Sequence, residues 1–476
     1  MIVMKFGGTS VGDVTAISNA AEIVYQTVNE RGPVAVVVSA MSGVTNALIE
    51  AASGAARRDA GVSLATRDHL LEKHRTAVIG VASDVGRGIE ILRQVEGFLD
   101  DFVNLCHSIA VLGELTPRGL DVVSSLGERM AVKIVAEALV KRGLKAEAID
   151  ATEIIITDDQ FGNASPLMDV TRAKIRERLL PLLKQGVVPV VTGFIGATRQ
   201  GVITTLGRGG SDYSAAIVGR GLDCEELWIY TDVDGVMTAD PRVVADAHTL
   251  PTISYSEAAE LSYFGAKVLH PKTVLPAIEG GIPVRILNSF NPKHPGTLLT
   301  EKAVNDGPAV KGIASIGNLS IVTVEGRGML GVPGIAAKVF TGVARTGSSL
   351  FMISQSSSEQ NICFVIQQQS TAKVLRVLHE ELELELTRRV IDRITAQEGV
   401  GIVAVVGAGM KGTPGISAKV FGSLGRTRIN VIAIAQGSSE YNISLVVDAD
   451  DIQNAVRAIH SEFELGRRGS GSVSAG

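Results

Sequence analysis

The chain opens with an apolar run, Ile2–Phe6, broken only by Lys5 and stopped by Gly7-Gly8. Apolar positions then recur at helical spacing over Val14–Arg31. Val34–Ser39 is a continuous β-branched run, as expected of a strand buried on both faces in a parallel sheet. From about Thr45 to Arg142 the pattern is mostly helical, and strand signals return at Val187–Thr192, Leu227–Thr231 and Val284–Leu287. This βαβα order predicts an α/β fold with a largely parallel central sheet. Pro292–Gly296 and the polar stretch Glu301–Pro308 read as an exit and a linker.

After Gly312 the pattern changes. Residues 326–366 align without a gap onto 407–447, with about half the positions identical. The polar string Gln355-Ser-Ser-Ser-Glu-Gln-Asn-Ile362 returns as Gln436-Gly-Ser-Ser-Glu-Tyr-Asn-Ile443. An internal duplication of this kind marks two copies of one structural unit. Each copy has a strand (Ser320–Glu325; Ile402–Val406), a Gly-Pro-Gly turn and a helix, then two strands and a second helix (Thr371–Glu380; Asp451–Glu464). Thr387–Thr395 is available to close the first copy as a strand, giving the ferredoxin-like βαββαβ pattern. The expected divisions are residues 1–300, a linker 301–311, repeats 312–396 and 397–466, and a disordered tail 467–476.

Composition narrows the function classes. Aromatic residues are 4% of the chain and the net charge is −5, which argues against a stacking platform or a basic surface for nucleic acid. Cys106, Cys224 and Cys363 lie far apart, which suits a reducing cytoplasm and excludes a disulfide framework. No apolar run is long enough to span a bilayer, and the run before Lys5 is too short for a signal peptide.

Four glycine-containing strings carry candidate chemistry. Lys5-Phe-Gly-Gly-Thr-Ser10 follows a strand and precedes a helix, where backbone N–H groups can close on a phosphate, although Gly-Gly there can equally be a turn. Leu206-Gly-Arg-Gly-Gly-Ser-Asp212 leads into a helix over Tyr213–Val218. Ser211 or Asp212 could cap that helix, but capping leaves the three glycines and Arg208 unexplained, and a guanidinium fork suits a carboxylate or phosphate. Asp232 and Asp234, in Thr231-Asp-Val-Asp-Gly235, are turn formers or ligands at the C-terminal end of a strand. Lys267, in Phe264-Gly-Ala-Lys-Val-Leu-His-Pro271, is a snorkelling surface residue or a phosphate clamp. Glu128 reads as a helix-start acid, and His69 and His74 as structural residues with no third metal ligand.

Taken in this order, KFGGTS, GRGGSD, TDVDG…DPR and FGAKVLHP resemble the amino-acid kinase family, and within it the aspartokinases, over about residues 2–466. The resemblance implies an amino-acid-kinase fold followed by two ACT domains. It also implies phosphorylation of the side-chain carboxylate of L-aspartate by ATP with Mg²⁺, giving 4-phospho-L-aspartate, the entry to lysine, threonine, methionine and isoleucine. Lys5, Arg208 and Asp212 are then the catalytic residues, and Ser39, Thr45, Glu128, Arg208, Ser211 and Asp212 the aspartate site. Lys5, Gly7, Gly8, Thr231, Asp232, Asp234, Arg242, Lys267 and Val268 form the nucleotide site, with no protein metal ligand assigned. Met237 departs from the pattern, standing where relatives often carry a tyrosine against the nucleotide. The doubled strings are similar to the ACT pair of threonine-responsive aspartokinases. They imply a free amino-acid effector, threonine first, with lysine or both together open. Gly334, Gln355, Ser357, Gly415, Asn430, Gln436 and Ser438 would line its sites. ACT pairing implies a homodimer or dimer of dimers, in the cytoplasm, with no membrane or nucleic-acid partner. Two other readings stay open: a family member acting on another acceptor, and an amino-acid sensor with an inactive kinase domain.

Overall fold

The computed structural model describes residues 1–59, 61–265, 271–301, 308–356 and 358–466. These fall into two compact units. The first comprises Met1–Val236, Pro251–Tyr255 and the described part of 268–302, and the second the remainder.

In the first unit, β1 (Ile2–Phe6) leads through a tight turn to α1 (Val14–Arg31) and β2 (Val34–Val38). Asp13 starts α1 by accepting the Ala16 N–H at 2.9 Å, and Gly32, at φ 87°, ends it. Four long helices follow: α2 (Val44–Ala56), α3 (Val62–Val81), α4 (Val85–Leu112) and α5 (Pro117–Lys141). Thr116 caps α5, and Pro117 occupies its first turn, where a missing N–H costs nothing. The chain continues through β3 (Lys145–Ile149), β4 (Ile156–Thr157), α6 (Met168–Lys184), β5 (Val187–Thr192), β6 (Ile195–Thr198), β7 (Ile203–Thr205) and α7 (Gly210–Leu222). It then forms β8 (Glu226–Thr231), β9 (Thr252–Ser254), α8 (Tyr255–Tyr263), which from Ser256 on belongs to the second unit, α9 (Leu275–Glu279), β10 (Val284–Asn288) and β11 (Thr297–Thr300).

The main sheet has the order β3-β5-β2-β1-β8-β10-β11-β9 and is parallel except where β10 meets β11. Every residue of β1 and β2 is buried, as the unbroken apolar runs require. From β1 the chain winds to one side of the sheet and from β8 to the other. The crevice beyond the C-terminal ends of these two strands is therefore the place where such sheets take ligands. A three-stranded sheet, β4-β6-β7, was not foreseen in the sequence, since its strands are only two to four residues long.

In the second unit the first repeat runs β12 (Gly312–Glu325), α10 (Ile335–Arg345), β13 (Met352–Gln355), β14 (Asn361–Gln367), α11 (Thr371–Glu381) and α12 (Glu383–Thr387). The second runs β15 (Arg393–Val406), α13 (Ile416–Arg426), β16 (Ala433–Gln436), β17 (Asn442–Asp448) and α14 (Ile452–Glu462). They share one antiparallel sheet, β13-β14-β12-β15-β17-β16. Two details differ from the expected layout. Thr387 ends a short helix, and the closing strand starts at Arg393. That strand then crosses the expected division at 396/397 unbroken, because it serves both repeats. Its first half pairs with residues 319–325, while its second half pairs with 312–316. Gly312–Ile316 thus supplies the strand that the second repeat lacks. Residues 237–250, expected with the N-terminal portion, contribute Ala239 and Val244 to the apolar cluster of the second repeat, with Val403, Val405 and Ile459.

Candidate active site

The ends of β1, β2, β5 and β8 open onto a cavity of about 690 Å³ in the first unit. Lys5, Gly7, Gly8, Ser39, Thr45, Glu128, Arg208, Ser211, Asp212 and Thr231 all line it. These expected residues come from five separate stretches of sequence, and the parallel sheet brings them together.

Lys5 is the one charged residue of a fully buried strand, 9% exposed, and its Nζ lies 2.6 Å from Asp212 Oδ1 in the first turn of α7. Parallel stacking of the Phe6 and Tyr230 rings, 4.8 Å apart, holds β1 against β8. Ser289 fastens the same end, with its hydroxyl 2.8 Å from Ser10 Oγ and its N–H donating to Thr231 O at 3.0 Å. Nothing in the local sequence announced Ser289.

The backbone of the second glycine string accounts for its glycines. Gly209 sits at φ 72° as the N-cap of α7, a left-handed conformation that side chains resist. Gly193, at the end of β5, has no room for a side chain: a Cβ would lie 2.7 Å from Ser211 Oγ and 2.9 Å from Val38 O. α7 and α2 both begin at the cavity with glycine caps and no side-chain cap; Val44, Gly210 and Asp212 donate their N–H groups to backbone carbonyls, which leaves those of Thr45, Asn46 and Ser211 for an anion. Arg208 is exposed on the cavity lining, and no carboxylate pairs with it among the described residues.

Glu128 lies in the interior of α5, not at a helix start. Leu120, Asp121, Ser124 and Glu128 form one face of that helix along the cavity wall. Glu128 Oε1 accepts the Ala40 N–H at 3.3 Å, while Oε2 is buried with no partner in the protein. Burial pushes this carboxyl up to about 8, against a smaller lowering by the Ala40 N–H. A buried carboxyl with an open oxygen on a cavity is a ready partner for an ammonium group.

Asp232 accepts the Thr231 hydroxyl at 3.2 Å, and Asp234 accepts Asn288 and Asn291 side-chain amides at 2.8 and 3.1 Å, the role of a turn former. Arg242 belongs to the second unit, where it is exposed and forks onto Asp240 at 2.6 Å. Met237 is also in the second unit. Lys267 and Val268, like Ser357 and the tail, lie outside the described residues. No group of three or more His, Cys, Asp or Glu that could hold a metal occurs among the described residues. His74 is buried, with Nδ1 2.7 Å from Leu70 O, and burial pushes it down to about 4, so it is a neutral core residue.

The second unit holds a further cavity of about 340 Å³, lined by Met410, Thr413, Gly415, Gln436 and Glu440 among others. Gly415 and Gln436 were expected there, whereas Asn430 and Ser438 are exposed and do not line it. The doubled string has a common geometry. Glu440 accepts the Gly412 N–H at 2.7 Å, and Glu359 accepts the Gly331 N–H at 3.1 Å. Gly334 caps α10 at φ 93° as Gly415 caps α13 at φ 89°, and Gln355 is exposed at the edge of its strand.

A model of the amino acid kinase family matches residues 1–288, and an ACT domain model matches 322–382 and 403–463. The chain is 38% identical over 472 residues to the bifunctional aspartokinase/homoserine dehydrogenase 1, chloroplastic, of Zea mays, covering 98% of this chain and 50% of that protein. It thus spans about half the length of the bifunctional relatives it matches. It is 34% identical over 464 residues to lysine-sensitive aspartokinase 3 of Escherichia coli, covering 97% of this chain and 99% of that one. The crystal structure of E. coli aspartokinase III in complex with aspartate and ADP superposes with a TM-score of 0.80 at 32% identity, over 97% of this chain and 99% of that chain. No helix among the described residues is long and apolar enough to cross a membrane.

Proposed function

We propose that this chain, which belongs to the amino acid kinase family and to its aspartokinase group, transfers the γ-phosphoryl group of ATP to the side-chain carboxylate of L-aspartate. The product is 4-phospho-L-aspartate, the activated precursor from which lysine, threonine, methionine and isoleucine derive. One observation carries the reading: a single cavity offers an ammonium (Lys5), an unpaired guanidinium (Arg208), a buried carboxyl with an open oxygen (Glu128) and two uncapped helix N-termini. Those are the complements of a phosphate, a carboxylate and an α-ammonium. The aspartate and ADP named for the E. coli structure are of the same two classes.

The chemistry needs no general base, because a carboxylate of reference pKa ~3.9 is already ionised at neutral pH. The obstacle is the approach of two anions, so catalysis rests on positioning and positive charge. Lys5 meets the phosphoryl oxygens, exchanging its contact with Asp212 for them. Arg208 takes the α-carboxylate in a forked pair. Glu128, with Ser39, Thr45 and Ser211 around it, holds the α-ammonium. A magnesium ion would be held by Asp212, the cavity carboxylate paired with Lys5, together with the nucleotide. When bound, that ion neutralises charge on the phosphates.

The ACT pair is the regulatory part of this reading. A free amino acid, threonine or lysine, binds at the cavity between the Gly412–Gly415 turn and Gln436 and inhibits by favouring a different state from the one that takes substrate. The E. coli relative named as lysine-sensitive supports lysine as one arm. Pairing of ACT units between two copies of the chain gives a homodimer or a dimer of dimers.

The test is direct. The protein is incubated with Mg-ATP and L-aspartate, and the acyl phosphate is trapped with hydroxylamine. Hydroxamate that depends on both substrates is the expected result. Its absence, in a preparation that still binds threonine or lysine, would leave an amino-acid sensor instead of an enzyme.

A further inference from the structure

The mechanism above leaves one buried charge at the cavity unused. Asp121, on the cavity face of α5, is 1% exposed and sits seven positions before Glu128. Its carboxylate is held by two separate stretches of the chain. Oδ2 accepts the Gly162 N–H at 2.9 Å and the Thr205 N–H at 3.0 Å, and Oδ1 accepts the Thr205 hydroxyl at 2.7 Å. Thr205 is the last residue of β7, and Gly207, Arg208 and Gly209 follow after Leu206. Beyond this anchor the loop is held by backbone alone, through Leu206 N–H to Phe194 O at 2.9 Å and Gly210 N–H to Gly207 O at 3.0 Å. Gly207 and Gly209 both lie at positive φ, and Arg208 has no ion-pair partner among the described residues. Gly207 abuts Asn163, beside the second anchored residue: a Cβ on it would lie 2.7 Å from Asn163 Oδ1.

We propose that Asp121 is a positioning residue for the substrate carboxylate. It ties the end of β7 and the Gly162 turn to α5, and so fixes the base of the loop that carries Arg208. α5 also carries Glu128, so one rigid helix sets the distance between the group that receives the ammonium and the loop that receives the α-carboxylate. The separation of those two charges is a fixed property of an α-amino acid, and α5 is the ruler that matches it. A flexible glycine loop alone could not hold such a spacing. This inference rests on the aspartate-kinase reading for the identity of the ligand, but the anchoring itself does not.

The experiment compares Asp121→Ala, Asp121→Asn and Thr205→Val in the full chain, with hydroxamate kinetics and amide hydrogen exchange in the absence of substrate. The Asn side chain keeps an acceptor for both N–H groups, whereas Ala keeps none. Asp121→Ala is expected to raise the KM for aspartate roughly tenfold to a hundredfold, with the KM for ATP within about threefold of wild type. The Gly162 and Thr205 amides should exchange faster in that variant. Asp121→Asn should restore both readouts to near wild type, and Thr205→Val, which loses only the hydroxyl bond, should show a smaller rise in KM. A merely structural role would lower thermal stability without separating the two KM values. Unchanged aspartate KM in Asp121→Ala, or equal rises for aspartate and ATP, would overturn the proposal. Should Asp121→Ala fail to fold, an unchanged aspartate KM in Thr205→Val would do the same. A wild-type protein that makes no hydroxamate refutes the kinase reading instead, and the exchange rates of the Ala and Asn variants then decide the anchoring by themselves.

Discussion

Lys5 Nζ and Asp212 Oδ1 are 2.6 Å apart, joining the middle sheet strand to the first turn of α7 by an ion pair that is 11% and 16% exposed. The pair gives the Lys5 side chain a partner within a buried strand and places it at an anion-binding helix end. It also gives Lys5 a resting partner that a phosphate can replace.

Removal of that ammonium by Lys5→Ala should act on the transition state, where charge on the transferred group is greatest. We expect kcat to fall by roughly 10²–10³ with the aspartate KM nearly unchanged. Steady-state hydroxamate kinetics check this. A change confined to KM would assign Lys5 to ground-state binding.

Arg208→Ala should do the opposite. Loss of a forked, charge-assisted pair to the α-carboxylate raises the aspartate KM by roughly tenfold to a hundredfold, with a smaller effect on kcat. An unaltered KM would remove Arg208 from the substrate site.

Glu128 sets a pH dependence. Its folded value, about 8, stands above its unfolded value of 4.5. Between those values the folded chain holds a proton that the unfolded chain has released, so stability from the neutral carboxyl is present at low pH and is lost as pH rises toward 8. Binding runs the other way. The substrate ammonium needs the carboxylate, so a proton must leave, and the aspartate KM should rise as pH falls from 8 to 6, by up to about tenfold per unit. Glu128→Gln should bind weakly with no such slope. Calorimetry of aspartate binding in two buffers of different ionisation enthalpy would detect the released proton, and its absence would count against the assignment.

Gln436→Ala should raise the effector concentration needed for half-inhibition roughly fivefold or more, since Gln436 lines the cavity of the second repeat. Gln355→Ala, tested separately with threonine and with lysine, shows whether the first repeat senses too. If neither substitution alters inhibition, the doubled string is not the sensor.

Gly193→Ala should destabilise the first unit by roughly 1–3 kcal/mol, because the added methyl meets Val38 O, a backbone atom that cannot swing aside. Thermal unfolding checks this, and an unshifted midpoint would mean that the end of β5 yields more than a packed sheet should.

The sequence by itself determined what depends on neighbours along the chain. The buried runs Ile2–Phe6 and Val187–Thr192 and a helix near Val14–Arg31 were legible, because period and β-branching act within a few positions. The doubled strings made the two repeats visible, and the glycine strings marked Arg208, Ser211 and Asp212. Only the tertiary structure decided what depends on pairing across the chain. The pairing of Gly312–Ile316 with the second repeat is a matter of ladder register, which no local pattern encodes. Asp121, Ser289 and the packing of Ala239 and Val244 carry ordinary side chains, and their roles exist only once distant backbone reaches them. Glu128 shows the division most clearly. Its position on α5 follows from helical period, but its raised pKa and open oxygen come from burial, a property of the folded cavity and not of the helix.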